Sequence, residues 1–445
     1  MESFDVVVIG GSVSGASTAM LLARRGYKVL VVERQTFPRD TLSTHFIWPR
    51  GVSYLNRWGL AERVWAKTPR FKKMEVSIEG ISLVGSVPLG DVKNRFRQLH
   101  GDCEAVTNFY CGPRRFFLDQ LLLDAAREAG VDVRENTSCA HPIIEDGVVR
   151  GVSIVGSGRV AETVRARLVI GADGRFSGFV KQVGAKTTDL RPLSTFAYWG
   201  YFSGIEKDEL AIHKRGRLGT AIFPTSHGTH MVLVYGPTAW WDDFRKDAEG
   251  NFFRTYEFCS PEITELVHAG KREEPFKACG TMPAFHRENH GPGWALVGDA
   301  GSFKDQVTAM GITHSFRDAE LITGFIHRAF SGEFTIDAAM AEYSRTRSAD
   351  YNEYFDMVCH VAEMNAYSKA ELEFFHSIRN NQKQIDQLIS QFGDTLPLSK
   401  GESVNAPPEE RMPEFITNFE SQLPLYLASP YTAWQADTAR HPVAV

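Results

Sequence analysis

Apolar positions form short continuous runs near the start of the chain and take on helical spacing toward its end. Residues 4–9 (Phe-Asp-Val-Val-Val-Ile) make a β-branched run, as expected of a strand buried on both faces. Residues 14–25 follow with helical composition and small side chains at their start, and Gly26 stands where a helix C-terminus favours glycine. Residues 28–33 (Lys-Val-Leu-Val-Val-Glu) repeat the buried-strand pattern and end in an acid. Together these predict a βαβ unit of about 30 residues with a right-handed crossover. Farther on, 115–129 have the spacing of a long amphipathic helix, with a strand expected over 131–134. Alternation over 142–170, with turn signals at Asp146-Gly147 and Gly156–Gly158, predicts an antiparallel meander. Aromatic-rich runs at 194–203 and 219–236 predict more strands, 313–393 read as helical, and proline breaks the pattern from about 395.

Composition narrows the class. The 445 residues are 43% hydrophobic and 23% charged, so the chain is neither disordered nor a membrane bundle. Its 49 Lys plus Arg against 54 Asp plus Glu leave a net charge of −5 with no block of one sign, which excludes a basic nucleic-acid surface. Six scattered cysteines neither form a disulfide scaffold nor share zinc spacing, and no other His, Cys or carboxylate pair is spaced as metal ligands, so no metal is expected. No uncharged apolar stretch approaches the roughly 20 residues of a membrane span. A cytoplasmic protein is expected, as a monomer or homodimer.

Between the first strand and helix lies Gly10-Gly11-Ser12-Val13-Ser14-Gly15, a G-x-G-x-x-G variant with serine at the middle glycine. The first glycine permits the tight turn, the middle position must be small for a pyrophosphate to approach, and the last lets helix meet strand. Helix-terminal N–H groups then face the anion. Glu33, at the end of the second strand, is placed to bind a ribose. These residues indicate a dinucleotide with an ADP half, NAD or FAD. Two later segments add carboxylates beside free backbone N–H groups: Ile170-Gly-Ala-Asp173-Gly174 and Ala295-Leu-Val-Gly-Asp299-Ala-Gly.

With these three motifs in this order over about residues 4–345, the chain resembles the FAD-dependent monooxygenases of the aromatic-hydroxylase type, whose superfamily includes the geranylgeranyl reductases and flavin-dependent halogenases. The resemblance implies an α/β fold: a Rossmann-like FAD-binding domain from 1–75, 101–180 and 281–345, a mixed or antiparallel β-sheet substrate domain from 76–100 and 181–280, and a helical C-terminal extension over 346–445. It implies that Gly10, Ser12, Val13, Ser14 and Gly15 hold the ADP half of FAD, with Glu33 and Arg34 at the adenosine ribose. Asp299 would bind the ribityl chain, and Gly311, Ile312 and Thr313 would present backbone N–H groups to the flavin edge. Arg115 matches the family arginine that reaches the cofactor, and Asp173-Gly174 the motif tied to FAD and to transient nicotinamide binding. The implied activity is hydroxylation of an aromatic or polycyclic small molecule through a flavin C4a-hydroperoxide, with O2 and with NAD(P)H as transient reductant.

Two departures bear on that activity. Gln306 stands where hydroxylases usually have proline, and Thr308 where many have glycine. The run Lys304-Asp305-Gln306 is closer to reductase- and halogenase-related members, so an FAD-dependent reductase acting on alkene or ring carbons is the alternative. The halogenase Trp-x-Trp-x-Ile-Pro signature is absent. Phe196, Tyr198, Phe223 and Gln306 are the expected pocket residues. By strand alternation Phe196, Tyr198 and Phe202 face one way, Trp199 and Tyr201 the other. His45 is the candidate acid or base near neutral pH, with His227, His230 and His314 more simply structural. The tail beyond Pro397 is read as packing against the body.

Overall fold

In the computed structural model, residues 2–396 are described, except 159 and 193. The chain weaves between two lobes. It opens with β1 (Glu2–Ile9), α1 (Val13–Ala23) and β2 (Val29–Val32), then leaves for the second lobe through β3 (Met74–Ile78) and β4 (Ile81–Gly85). It returns with α2 (Arg115–Glu128), β5 (Asp132–Arg134), β6 (Ser138–Glu145), β7 (Val148–Val155) and β8 (Ala161–Gly171). It departs again through β9 (Thr195–Ser203), β10 (Leu210–Arg215), β11 (Leu218–Pro224), β12 (His230–Pro237), α3 (Ala248–Cys259) and β13 (Lys277–Cys279). Finally β14 (Trp294–Leu296), α4 (Gly311–Phe330) and α5 (Ile336–Ala362) close the first lobe.

The first sheet orders its parallel strands β14-β8-β1-β2-β5. Val6, Val7, Val8, Leu30 and Val31 are all fully buried, because α1, α2 and α4 cover one face while the meander side covers the other. That double cover is why these strands read as unbroken apolar runs. The meander expected over 142–170 forms from β6 and β7, but its third strand, β8, also runs parallel to β1 from Glu2↔Val164 to Ile9↔Gly171. Its C-terminal end therefore lies at the same edge of the sheet as the C-terminal end of β1.

The second sheet is mixed: β9, β12, β11 and β10 are antiparallel in that order, and β10 runs parallel to β3. Its outer face packs on α3 through Phe196, Tyr198, Phe244 and Phe252; its inner face, with Trp199, Tyr201 and Phe223, looks toward the first lobe. The helix Leu89–His100 shows that the lobes share material, since Phe96 packs on Tyr54 of the first lobe's core. α5 runs unbroken across position 346, so no structural boundary falls there. Two shorter helices, Lys369–Ile378 and Gln382–Phe392, follow it. The tail beyond 396 lies outside the described residues.

Candidate cofactor and active site

The turn after β1 is shaped by close backbone approach. Gly10 has φ +103°, and a Cβ there would lie 2.6 Å from the Ala172 carbonyl oxygen. A Cβ on Gly15 would lie 1.9 Å from the Gly10 carbonyl oxygen, so α1 sits directly on the turn. Ser12 occupies the N-cap of α1 without making a side-chain cap. Its hydroxyl instead donates to Asp119 (2.8 Å) and accepts from Arg115 (2.7 Å). The first-turn N–H groups of α1 thus keep their capacity for an anion.

Glu33 is buried and fixes the turn from behind: one carboxylate oxygen accepts from Gly11 N–H and the other from Gln35 N–H, both at 2.8 Å. Each oxygen retains a lone pair for a ribose hydroxyl. Arg34 is exposed at the mouth beside it.

Three further loops complete one cleft of about 790 Å³, within the few-hundred to ~1,000 Å³ of small-molecule sites. At the end of β8, one oxygen of Asp173 accepts from Gly178 N–H (2.9 Å), while the other is buried without a hydrogen-bond partner. Gly298, φ +57°, leaves no room for a Cβ beside the Ser14 hydroxyl, which draws the Asp299 loop against α1. Burial pushes the Asp299 carboxyl up, against the pull of Lys304, Arg115 and Arg175. Gly311 and Ile312 open α4, whose N-cap residue Met310 caps with no side chain. Gln306 lines the same end with its amide nitrogen buried and unpartnered.

The cleft therefore gathers Gly10, Ser12, Val13, Ser14, Glu33, Arg34, Arg115, Asp173, Gly174, Asp299, Gln306, Gly311 and Ile312. Gly15 acts one layer back, through its contact with Gly10. Thr313 turns away from the cleft and packs fully buried toward Gly51 of the helix Pro49–Arg57.

The pocket wall differs from the sequence expectation. Phe196 and Tyr198 lie on the outer face of β9 against Trp241 and Phe244, whereas Trp199 lines the cleft. α3 and its neighbours cover the outer face, so the alternation points the other set inward. Phe223 stands behind the lining, edge-on to His45 (5.7 Å) and Phe46 (5.5 Å).

His45 reaches the cleft with left-handed backbone (φ 41°), and its Nε2 shares a hydrogen bond with the Tyr201 hydroxyl at 3.1 Å. Burial and the neighbouring Arg114 guanidinium push its pKa down to about 3. In this structure the imidazole is neutral across the physiological range and shares its hydrogen bond with the Tyr201 hydroxyl. His227 stacks on Phe116 away from the cleft, and His230 pairs with the Lys207 carbonyl; His314 lines the cleft.

Sequence reasoning missed a polar girdle behind the Asp299 loop. Asp318, fully buried, accepts from Gly298 N–H (3.1 Å), from Arg347 (2.7 Å) and from the Tyr351 hydroxyl (3.1 Å). The available signal was Arg317-Asp318 within a helical stretch whose neighbours Phe316, Ala319 and Ile322 are apolar. It missed also Asp305, whose carboxylate accepts from Thr195 N–H (2.7 Å) and hydroxyl (2.9 Å) on β9 and from Val307 N–H (2.9 Å). Outside the cleft, Glu75, His213 and Glu262 come together from three elements, which no linear spacing reveals. Nδ1 of His213 lies 2.8 Å from Glu262 and Nε2 3.9 Å from Glu75, with one donor atom of each residue within 4.8 Å of the others.

An uncapped helix N-terminus, a ribose-ready acid, an orphaned Asp173 oxygen and an unpartnered Gln306 amide along one elongated cleft fit an extended dinucleotide. Comparison with known proteins agrees. A family model described as FAD binding domain matches residues 3–349. The digeranylgeranylglycerophospholipid reductase of Methanosphaerula palustris is 31% identical over 77% of this chain and 81% of its own. The 6-methylpretetramide 4-monooxygenase of Streptomyces rimosus is 24% identical over 76% and 79%. A flavin-dependent brominase shares the fold with a TM-score of 0.74 at 17% identity, over 95% of this chain and 99% of that one. Among the described residues no helix is long and apolar enough to cross a membrane. The chain belongs to the FAD binding domain family and is an FAD-dependent oxidoreductase.

Proposed function

We propose that this protein is an NAD(P)H-dependent FAD monooxygenase that hydroxylates an aromatic or polycyclic small molecule with O2. The observation that carries the reading is the inner end of the cleft. There Phe46, Trp199 and Met282, each at most 4% exposed, join Phe303 in an apolar wall beside Gln306 and the start of α4. Such a wall suits a planar apolar ring and excludes the water that would divert activated oxygen. The monooxygenase among the relatives supports the same reading.

FAD, when bound, supplies the redox chemistry, taking electrons from a nicotinamide and activating oxygen. The chain does the rest. The α1 amides and Ser12 would hold the pyrophosphate, with Arg115 fixing the serine; Glu33 and Arg34 would take the adenosine ribose, Asp299 the ribityl hydroxyls, and Asp173-Gly174 would contribute a further polar contact. The α4 amides would face the anionic part of the bound cofactor, since a helix N-terminus favours negative charge. His45 holds the Tyr201 hydroxyl at the cleft's inner wall.

The second reading is a reductase of alkene carbons, favoured by Gln306 in place of proline and by the 31%-identical reductase relative. A panel of hydroxylated polycyclic aromatics, incubated with enzyme, NADH or NADPH and 18O2, separates the two. Products heavier by one 18O atom are expected. Anaerobic turnover giving products heavier by two hydrogens overturns the monooxygenase reading in favour of the reductase.

A further inference from the structure

The cations around the cleft are mostly committed. Arg115 binds Asp119 and Ser12, and Arg347 binds Asp318. Lys304 is different. Among the described residues its ammonium has no carboxylate within ion-pair distance and no hydrogen-bond partner, and it lies 4.0 Å over the face of Tyr351. The Tyr351 hydroxyl in turn lies 3.1 Å from both the His314 carbonyl, in the first turn of α4, and the Asp318 carboxylate, between which its one hydrogen is shared. Lys304 thus lines the cleft at the end where the uncapped N-terminus of α4 arrives. Its backbone position is set by the next residue, Asp305, through the bonds to Thr195 and Val307.

We propose that Lys304 places a fixed positive charge at the flavin end of the cleft that favours reduced FAD over oxidised FAD. This rests on FAD binding, which family membership establishes, and is independent of whether the reaction is hydroxylation or reduction. When NAD(P)H gives up a hydride and leaves as NAD(P)+, FAD gains two electrons and one proton, so the cofactor becomes one charge more negative. A nearby cation then binds the reduced state more tightly than the oxidised one. The helix N-terminus adds a partial positive charge at the same place. The groups facing Lys304 leave its charge largely uncancelled. From α4 and α5, Asp318 is neutralised by Arg347, and Arg317 pairs with Asp350. Burial and Lys304 itself push His314 down to about 3, leaving it neutral. Asp299 is the remaining acid, placed for ribityl hydroxyls. Burial lowers the Lys304 amine to about 8, so it remains mostly protonated at pH 7.

The test is the FAD midpoint potential of the purified holoenzyme, measured by equilibration with a reference dye, for wild type, Lys304→Met and Lys304→Arg. In Lys304→Met the preference for reduced over oxidised FAD is expected to drop at least tenfold, a potential lower by about 30 mV for a two-electron couple. Lys304→Arg is expected to recover most of that loss. Above about pH 8 the wild-type potential is expected to fall more steeply with pH than that of Lys304→Met, because reduction draws an extra proton onto the amine. An unchanged potential in a flavin-replete Lys304→Met overturns the proposal. Should Lys304→Met purify without flavin, titration of apoprotein with oxidised and with reduced FAD decides: equal weakening of both overturns it, selective weakening of reduced FAD supports it. Lys304→Gln, read by the same measurements, stands in should the methionine variant fail to fold.

Discussion

Gly15→Ala is the sharpest test of the proposal that this turn meets the FAD pyrophosphate. The new methyl carbon would start 1.9 Å from the Gly10 carbonyl oxygen, where real Cβ contacts do not fall under 3.0 Å. The turn and α1 must therefore part by roughly 1 Å. Forcing such a contact in a packed region costs about 1–3 kcal/mol, partly offset by the ~0.5–1 kcal/mol alanine gains over glycine inside a helix. The displaced turn also misaligns charge-assisted N–H contacts to phosphate, worth about 1.5–3 kcal/mol each. Loss of one corresponds to a roughly 10- to 100-fold weaker FAD affinity. Gly324→Ala, in α4 where a Cβ would meet nothing within 4 Å, is the matched control and is expected to be neutral or slightly stabilising. The assay is fluorescence-quench titration of deflavinated protein with FAD, alongside thermal unfolding of the apoprotein. An FAD affinity for Gly15→Ala within twofold of wild type would refute the close-packed turn as the phosphate cradle.

Two further outcomes follow from the charges at the site. Burial raises the Asp305 carboxyl to about 6, well above its ordinary value, despite the Thr195 and Val307 donors. The folded state therefore holds a proton the unfolded chain releases, and this contribution is present below about pH 4 and lost as pH rises through about 6; thermal melts of Asp305→Asn are expected to lack that component, and an identical pH–Tm curve contradicts it. Because His45 stays neutral above about pH 3, His45→Asn is expected to keep the shape of the wild-type pH–rate profile between about pH 5 and 8; a limb near pH 6.5 that vanishes in the variant makes the imidazole a proton carrier after all.

The Rossmann-like half was legible because its strands are covered on both faces, which writes them as continuous apolar runs, and because glycine spacing at 10–15 reflects backbone contacts within one turn. Convergence of the segments at 33, 173, 299 and 311 was legible only through motif order, since no local pattern states which loops meet. The pocket wall shows the limit. Alternation along β9 separated Trp199 from Tyr198, but the choice of inner face belongs to α3, nearly 50 residues away in the chain. The Asp318–Arg347–Tyr351 girdle was hidden for the same reason: each member is an ordinary helical polar residue until α4 and α5 are side by side.

The Asp305 carboxylate stitches β9 of the second sheet to the loop that carries Lys304 and Gln306. On the proposed reading, a bulky ring seated against Trp199, or a substitution chosen to admit a larger one, would pull on that strand and so on the loop of Lys304 and Gln306. If both proposals hold, re-engineering selectivity here would also retune the flavin's potential, so variants should be ranked on both scales together.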